Sequence, residues 1–211
     1  MLANRLVKSP VQLSLLLLAL LSSSCGRVRV TSPLSDPEKA QPDERLCGMW
    51  KPENKGDNAP DAAFLLIGKV GRQDVPAGIM KAMAMEIDKN NKLRDISVYF
   101  FTTPAADDTY ANLFLEEVVD PANSPVWNKK SMRSFLLYKY KAEEDKLTIW
   151  SMNDDAVEDA VRSGQVKGKI EGTNTKTVTF TDGEDLLRYL KGGGDTKLFE
   201  EKRKQVYLRV K

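Results

Sequence analysis

SFLLYKYKAEEDKLTIWSM, residues 134–152, is the stretch that decides the fold. Leu136, Tyr138 and Tyr140 recur at every second position, with Lys139 and Lys141 among their neighbours. An extended chain sends alternate side chains to opposite faces, so this period predicts a half-buried strand over Ser134 to Ala142. Glu143, Glu144 and Asp145 then interrupt the apolar pattern, and Lys146 to Met152 resumes it. Two such runs joined by three polar residues form a β-hairpin.

The same pattern recurs on both sides of this hairpin. Toward the N-terminus, strands are expected over Leu46 to Lys51, Ala62 to Val70, Ile79 to Asp88, Leu93 to Thr103 and Tyr110 to Val118. Ala62 to Val70 is continuously apolar and predicts a strand covered on both faces. Lys89, Asn90 and Asn91 suit a hairpin turn, because asparagine tolerates positive φ. In the following strand, Ile96, Val98 and Phe100 alternate with polar neighbours. Toward the C-terminus, Val166 to Glu171 turns at Gly172, Thr173 and Asn174 into Lys176 to Thr181, where Val178 and Phe180 alternate; Val206 to Val210 closes the chain. Short strands at this spacing predict a mainly β fold, an antiparallel meander or barrel. Two short helices are expected within it. Asp155 with Glu158, and Thr181 with Glu184, each have capping-box spacing. The first helix should stop before Gly164, and the second, with Leu186, Leu187 and Leu190 on one face, at Gly192 to Gly194.

The N-terminus carries an address. Met1 to Pro10 has Arg5 and Lys8 and no acid, Val11 to Leu21 is almost wholly apolar, and three serines precede Cys25. This is the three-zone pattern of a signal peptide over residues 1–24, and its apolar run is shorter than the ~20 residues a spanning helix needs. LSSSC resembles the lipobox of bacterial lipoproteins, with Ser22 where leucine is usual. That resemblance implies acylation of Cys25 and attachment to the bacterial envelope. Gly26 after the cysteine leans toward the outer membrane where two membranes are present. Ordinary cleavage near Ser24 is the alternative; it yields a soluble secreted protein in which Cys25 and Cys47 are free to pair. Residues 25–45, with three prolines and many charges, are expected to form a flexible tether. The globular domain then spans 46–211.

Composition narrows the function. Removing Arg5 and Lys8 from the 32 basic residues leaves 30, equal to the 30 acidic residues. A balanced domain has no net attraction to nucleic acid or anionic lipid, and the charged tail 200–211 is expected to be an exposed strand edge. The chain has no histidine, which removes Ser-His-Asp and Cys-His nucleophilic sites and imidazole-bound metals. No cofactor motif is present. The acidic clusters at Asp107/Asp108, Asp154 to Asp159 and Asp182 to Asp185 suit solvated or helix-capping roles. A hydrolase using acids from separate strands is the least favoured reading. Met83 and Met85 share a face with Ile79 and Ile87, while Met80 faces the other way with Ala82 and Ala84. Thioethers and aromatic rings fill cores more often than they line cavities. Met83, Met85, Tyr99, Phe101, Tyr138, Tyr140 and Trp150 are therefore core first, and pocket lining by hypothesis.

Gly48 and Trp50 form a Gly-x-Trp near the start of the domain, and Arg209 lies in the closing strand. This set resembles the signature of lipocalins, in which a late arginine packs over the tryptophan. The resemblance implies an eight-stranded barrel that is either filled by side chains or holds one small apolar ligand. The chain as a whole also resembles uncharacterised small lipoproteins of planctomycete-type bacteria, a group with no activity to carry over. The expected function is a tethered, non-catalytic binding module for an apolar small molecule or lipid. The alternative is a structural or protein-interaction module with a closed core.

Overall fold

Among the described residues, eight of eleven strands close on themselves. In the computed structural model, residues 28–53, 62–87, 92–114, 134–172 and 177–211 are described. The expected signal peptide, Cys25, the Lys89–Asn91 turn, residues 115–118 and the Thr173–Asn174 turn lie outside them. β1 is Val28–Val30, β2 Gly48–Pro52, β3 Ala62–Lys69, β4 Met80–Ile87, β5 Leu93–Ala105 and β6 Asp108–Phe114. β7 is Phe135–Ala142, β8 Lys146–Ser151, β9 Gly168–Glu171, β10 Thr177–Phe180 and β11 Lys204–Arg209. Strands β2 to β8 form a meander; β11 fits antiparallel between β8 and β2, and β6 pairs β7, so the circle is closed. The mainly β, antiparallel barrel expected from the alternation is what the chain forms.

The hairpin at 134–152 has the expected register, with Tyr140 opposite Ile149 and Ala142 opposite Leu147. Paired residues point to the same side of a sheet. The even-numbered residues of β4, β5 and β7 and the odd-numbered ones of β3, β8 and β11 consequently share the lumen. Trp50, fully buried, and Leu65, Met80, Phe100, Tyr140, Leu147 and Tyr207 form this inner core.

A second core lies outside the barrel. Helices α1 (Asp154–Arg162) and α2 (Gly183–Tyr189), the short α3 (Asp195–Leu198), and the β1–β10–β9 ribbon cover the outward faces of β5, β6 and β7. Val157, Leu186 and Leu198 pack there with Phe101, Tyr110 and Phe135. The two helices form where expected, with shifted caps. Asn153, not Asp155, caps α1, accepting from the Asp155 and Ala156 amides; Asp182, not Thr181, caps α2. The true cap sits two residues upstream in α1 and one residue downstream in α2, where an extended backbone lets the side chain reach the first free N–H groups. Gly164 ends α1 at φ +69° as its sequence implied.

Three expectations are overturned. Residues 28–45 are not a free tether. Val28 and Val30 are buried in β1, which runs parallel to β10, and Leu34 is buried beyond it. The Leu34 amide donates to Asn112 Oδ1 at 3.1 Å, and the Ser35 and Thr103 hydroxyls lie 2.6 Å apart. Low mean hydropathy hid a few apolar residues that each find a place, and proline lowers the entropy lost in ordering them. β3 is covered on one face only: Leu66 is 40% exposed, because among the described residues no layer overlies the outside of β2 to β4. The basic tail is not an edge, since β11 is paired on both sides.

Candidate functional site

One end of the barrel is locked shut by residues that a single geometry holds together. Just before β2, a 3-10 turn over Glu44–Leu46 sends Leu46 into the lumen, and the Trp50 indole N–H donates to the Leu46 carbonyl at 2.8 Å. The Arg209 guanidinium lies 4.1 Å from the Trp50 ring centroid. Its N–H groups donate to the carbonyls of Glu144, Cys47 and Arg45, each at 2.6 Å. Arg209 thereby joins β11, the β7–β8 turn and the segment before β2. A stacked cation with its donors filled is a strong tie at a barrel end. Gly48 is required beside it: its φ is +137°, and a Cβ there would stand 2.6 Å from Arg209 Nη1. The expected Gly48, Trp50 and Arg209 grouping is thus a real contact set.

Asp43 completes this floor. It accepts from the Tyr140 hydroxyl at 2.9 Å and from the Arg45 side chain. Burial alone would raise the Asp43 pKa, but the hydrogen bonds from Arg45 and Tyr140 outweigh it and hold it below the usual carboxylate range. Burial, with the Asp43 charge beside it, pushes the Tyr140 hydroxyl far up. The Tyr207 hydroxyl is also raised, mainly by burial, and donates to Gln205 at 2.9 Å.

Above the floor lies an apolar cavity of about 100 Å³. Its walls come from Leu65 and Ile67 on β3, Ala82 and Ala84 on β4, and Ile96, Val98 and Phe100 on β5. Ala111, Leu113, Tyr138, Tyr140, Leu147, Ile149 and Tyr207 complete the ring. The space exists because Ala82, Ala84 and Ala111 put single methyl groups where neighbouring strands put large side chains. The cross-strand pairs Ala84–Ile96 and Ala82–Val98 set small against medium.

Of the seven residues proposed as pocket lining, Tyr138 and Tyr140 line it. Met83, Met85, Tyr99, Phe101 and Trp150 do not; they occupy outward positions of β4, β5 and β8. Phe101 is fully buried beneath the outer layer, with Phe135 edge-on at 6.4 Å. Trp150 donates to Glu201 at 3.1 Å, with the Lys139 ammonium 5.7 Å from its ring. The methionines sit on the uncovered outer face. Hydrophobicity singled out these residues, but strand parity decides side, and a one-residue shift reverses it. The missed alanines were legible: the β4–β5 pairing puts Ala82 and Ala84 on the face of Val98 and Ile96, whose alternation already marked them as inward.

Other polar groups are occupied or lie outside the barrel. Lys139 Nζ meets Asp108 at 2.8 Å and Asp195 at 2.9 Å, tying α3 to β7. Burial works against the Lys139 charge, but those two carboxylates outweigh it and raise its pKa. Cys47 is a free, half-buried thiol, raised chiefly by burial. Among the described residues, no three His, Cys, Asp or Glu side chains are grouped to hold a metal ion. Glu86 stands apart. It faces the lumen one rung beyond Ala84 and is 4% exposed, and its Oε2 makes no hydrogen bond.

No protein-family model matches the chain, and neither a curated protein nor a solved structure matches it.

Proposed function

We propose that this protein is a lipid-anchored, non-catalytic binding module of the bacterial envelope whose barrel holds a small apolar ligand. The apolar cavity closed at one end by Leu46, Trp50 and Arg209 carries this reading. Tyr140 and Tyr207 turn their hydroxyls to Asp43 and Gln205, so their rings present hydrocarbon to the space. At about 100 Å³ the cavity is nearer the ~150 Å³ void that admits benzene than the ~300–1,000 Å³ of drug-sized pockets. The occupant is therefore a single ring or a stretch of one acyl chain. Native mass spectrometry of the full-length protein, extracted from its own membrane in a mild detergent, should reveal an apolar adduct. A purely unliganded spectrum, with no uptake of added short alkanes or benzene, would sink the reading. The anchor is tested separately: Cys25→Ser should release the protein from membranes and abolish fatty-acid labelling, and persistent labelling would refute it.

A second reading rests on the outer face of β2 to β4. Met49 and Leu66 are paired and exposed, and Met83 lies opposite Leu66 on the next strand. An apolar row of this kind suits a protein-interaction module. Cross-linking from Leu66→Cys in intact cells to one defined partner, with an empty barrel, would favour it.

A further inference from the structure

Within the reading that the lumen holds an apolar ligand, Glu86 specifies what that ligand carries at its outer end. β4 is regular from Met80 to Ile87, paired without a bulge to β3 and β5. Glu86 therefore lies on the same face as Ala82 and Ala84, about 7 Å along the strand from Ala84. Its register partners are Ala63, buried, and Arg94, which is exposed at the rim. The carboxyl thus stands on the lumen face one rung beyond the cavity wall at Ala84, withdrawn from water and with Oε2 unpartnered. Removing a polar group from water without a partner costs ~1–3 kcal/mol, and more for a charged group. A residue meant only to fill that rung would be apolar, as Ala84 below it is.

We infer that Glu86 is the recognition group for a cationic, N–H-bearing head, so that the barrel takes short amphipathic amines. The alkyl or aryl part would enter the cavity beside Ala84 and Ile96, and the ammonium would donate to Glu86 Oε2 one rung beyond. The pairing satisfies the orphan oxygen and neutralises two charges in a poorly hydrated site, where such hydrogen bonds are strong. A fatty acid placed the same way would set two carboxyls against each other. Selectivity thus arises from charge sign at one atom, on top of apolar binding by the walls.

The test uses the full-length protein in detergent and four ligands of equal chain: n-hexane, n-hexanol, n-hexanoate and n-hexylamine. The amine should bind at least about tenfold more tightly than hexanoate, since a charge-assisted hydrogen bond is worth ~1.5–3 kcal/mol. Glu86→Gln should reduce amine affinity about tenfold and leave n-hexane within about twofold. The ligand comparison in the wild-type protein needs no variant, so poor folding of Glu86→Gln would leave it decisive. If n-hexane binds and the amine binds no better than hexanoate, Glu86 is not a recognition group, while the cavity reading stands. If none of the four binds, the cavity reading fails as well.

Discussion

Replacing Ala84 with leucine puts the cavity to a thermodynamic test. Ala84 faces the lumen yet is only half-buried, so its accessible surface opens on the cavity. An unfilled void costs ~24 cal/mol per Å³, or about 2.4 kcal/mol for about 100 Å³. Leucine adds three carbons, worth up to ~0.8 kcal/mol each if fully buried. Fixing its rotamer costs ~0.5–1 kcal/mol. The expected net gain is about 1–2 kcal/mol, visible in urea unfolding as a higher midpoint with unchanged slope. For a chain of this size the melting temperature should rise by roughly 2–8 °C. The same substitution should abolish uptake of n-hexane, because the leucine occupies its place. A stable variant that has lost binding is the pattern expected when a cavity is kept for a ligand. Destabilisation by more than about 1 kcal/mol, with the slope unchanged, would refute the argument. It would mean that the lumen is already packed and the leucine strains it.

Arg209→Ala removes three hydrogen bonds and a stacked cation from the barrel floor, and should cost about 2–4 kcal/mol in urea unfolding; a change under about 0.5 kcal/mol would show that the grouping with Trp50 is incidental. Asn112→Ala removes the side chain that accepts from the Leu34 amide and donates to Thr103 Oγ1 at 3.0 Å. It should loosen residues 28–35 first, seen as faster amide exchange there while β7 and β8 stay protected. Because the Asp43 carboxyl is held below its usual value of 3.8, its contribution is complete above that pH and is lost as pH falls through the lower folded value. Acid unfolding should therefore steepen below about pH 4, and Asp43→Asn should flatten that limb. Tyr110, Tyr140 and Tyr207 are all raised above 10.0, mainly by burial, so their stabilisation holds below that pH and is lost as alkali ionises the unfolded chain. Tyrosinate absorbance from these three should appear only together with unfolding; titration of all six tyrosines before unfolding would contradict the burial of Tyr110, Tyr140 and Tyr207.

Much of this was legible from local pattern. The Gly48, Trp50 and Arg209 grouping came only from the lipocalin resemblance; the 134–152 hairpin, most strands before and after it and both helices follow from alternation, turn residues and spacing. These features depend on near neighbours along the chain, so the sequence carries them in short windows. The lumen face of β5 was also present, in Ile96, Val98 and Phe100, and with it the identity of the cavity alanines. Reading large residues instead of small ones obscured them, since a cavity is marked by what is absent.

By itself, then, the sequence determined most of the strands, the inward face of β5 and β7, and a charge balance without net basic attraction. Tertiary structure alone decided which faces are covered. Phe101 and Trp150, which parity puts outside the barrel, are covered because helices and the β1–β10–β9 ribbon, distant in sequence, pack over that side. Val28 to Ala40 is ordered because Asn112, Thr103 and Phe180 receive it, and the basic tail becomes an interior strand because β2 and β8 meet it from both sides. The physical reason is common to all three. Period-two alternation fixes which side chains share a face, but burial of that face depends on long-range partners. No local window records them.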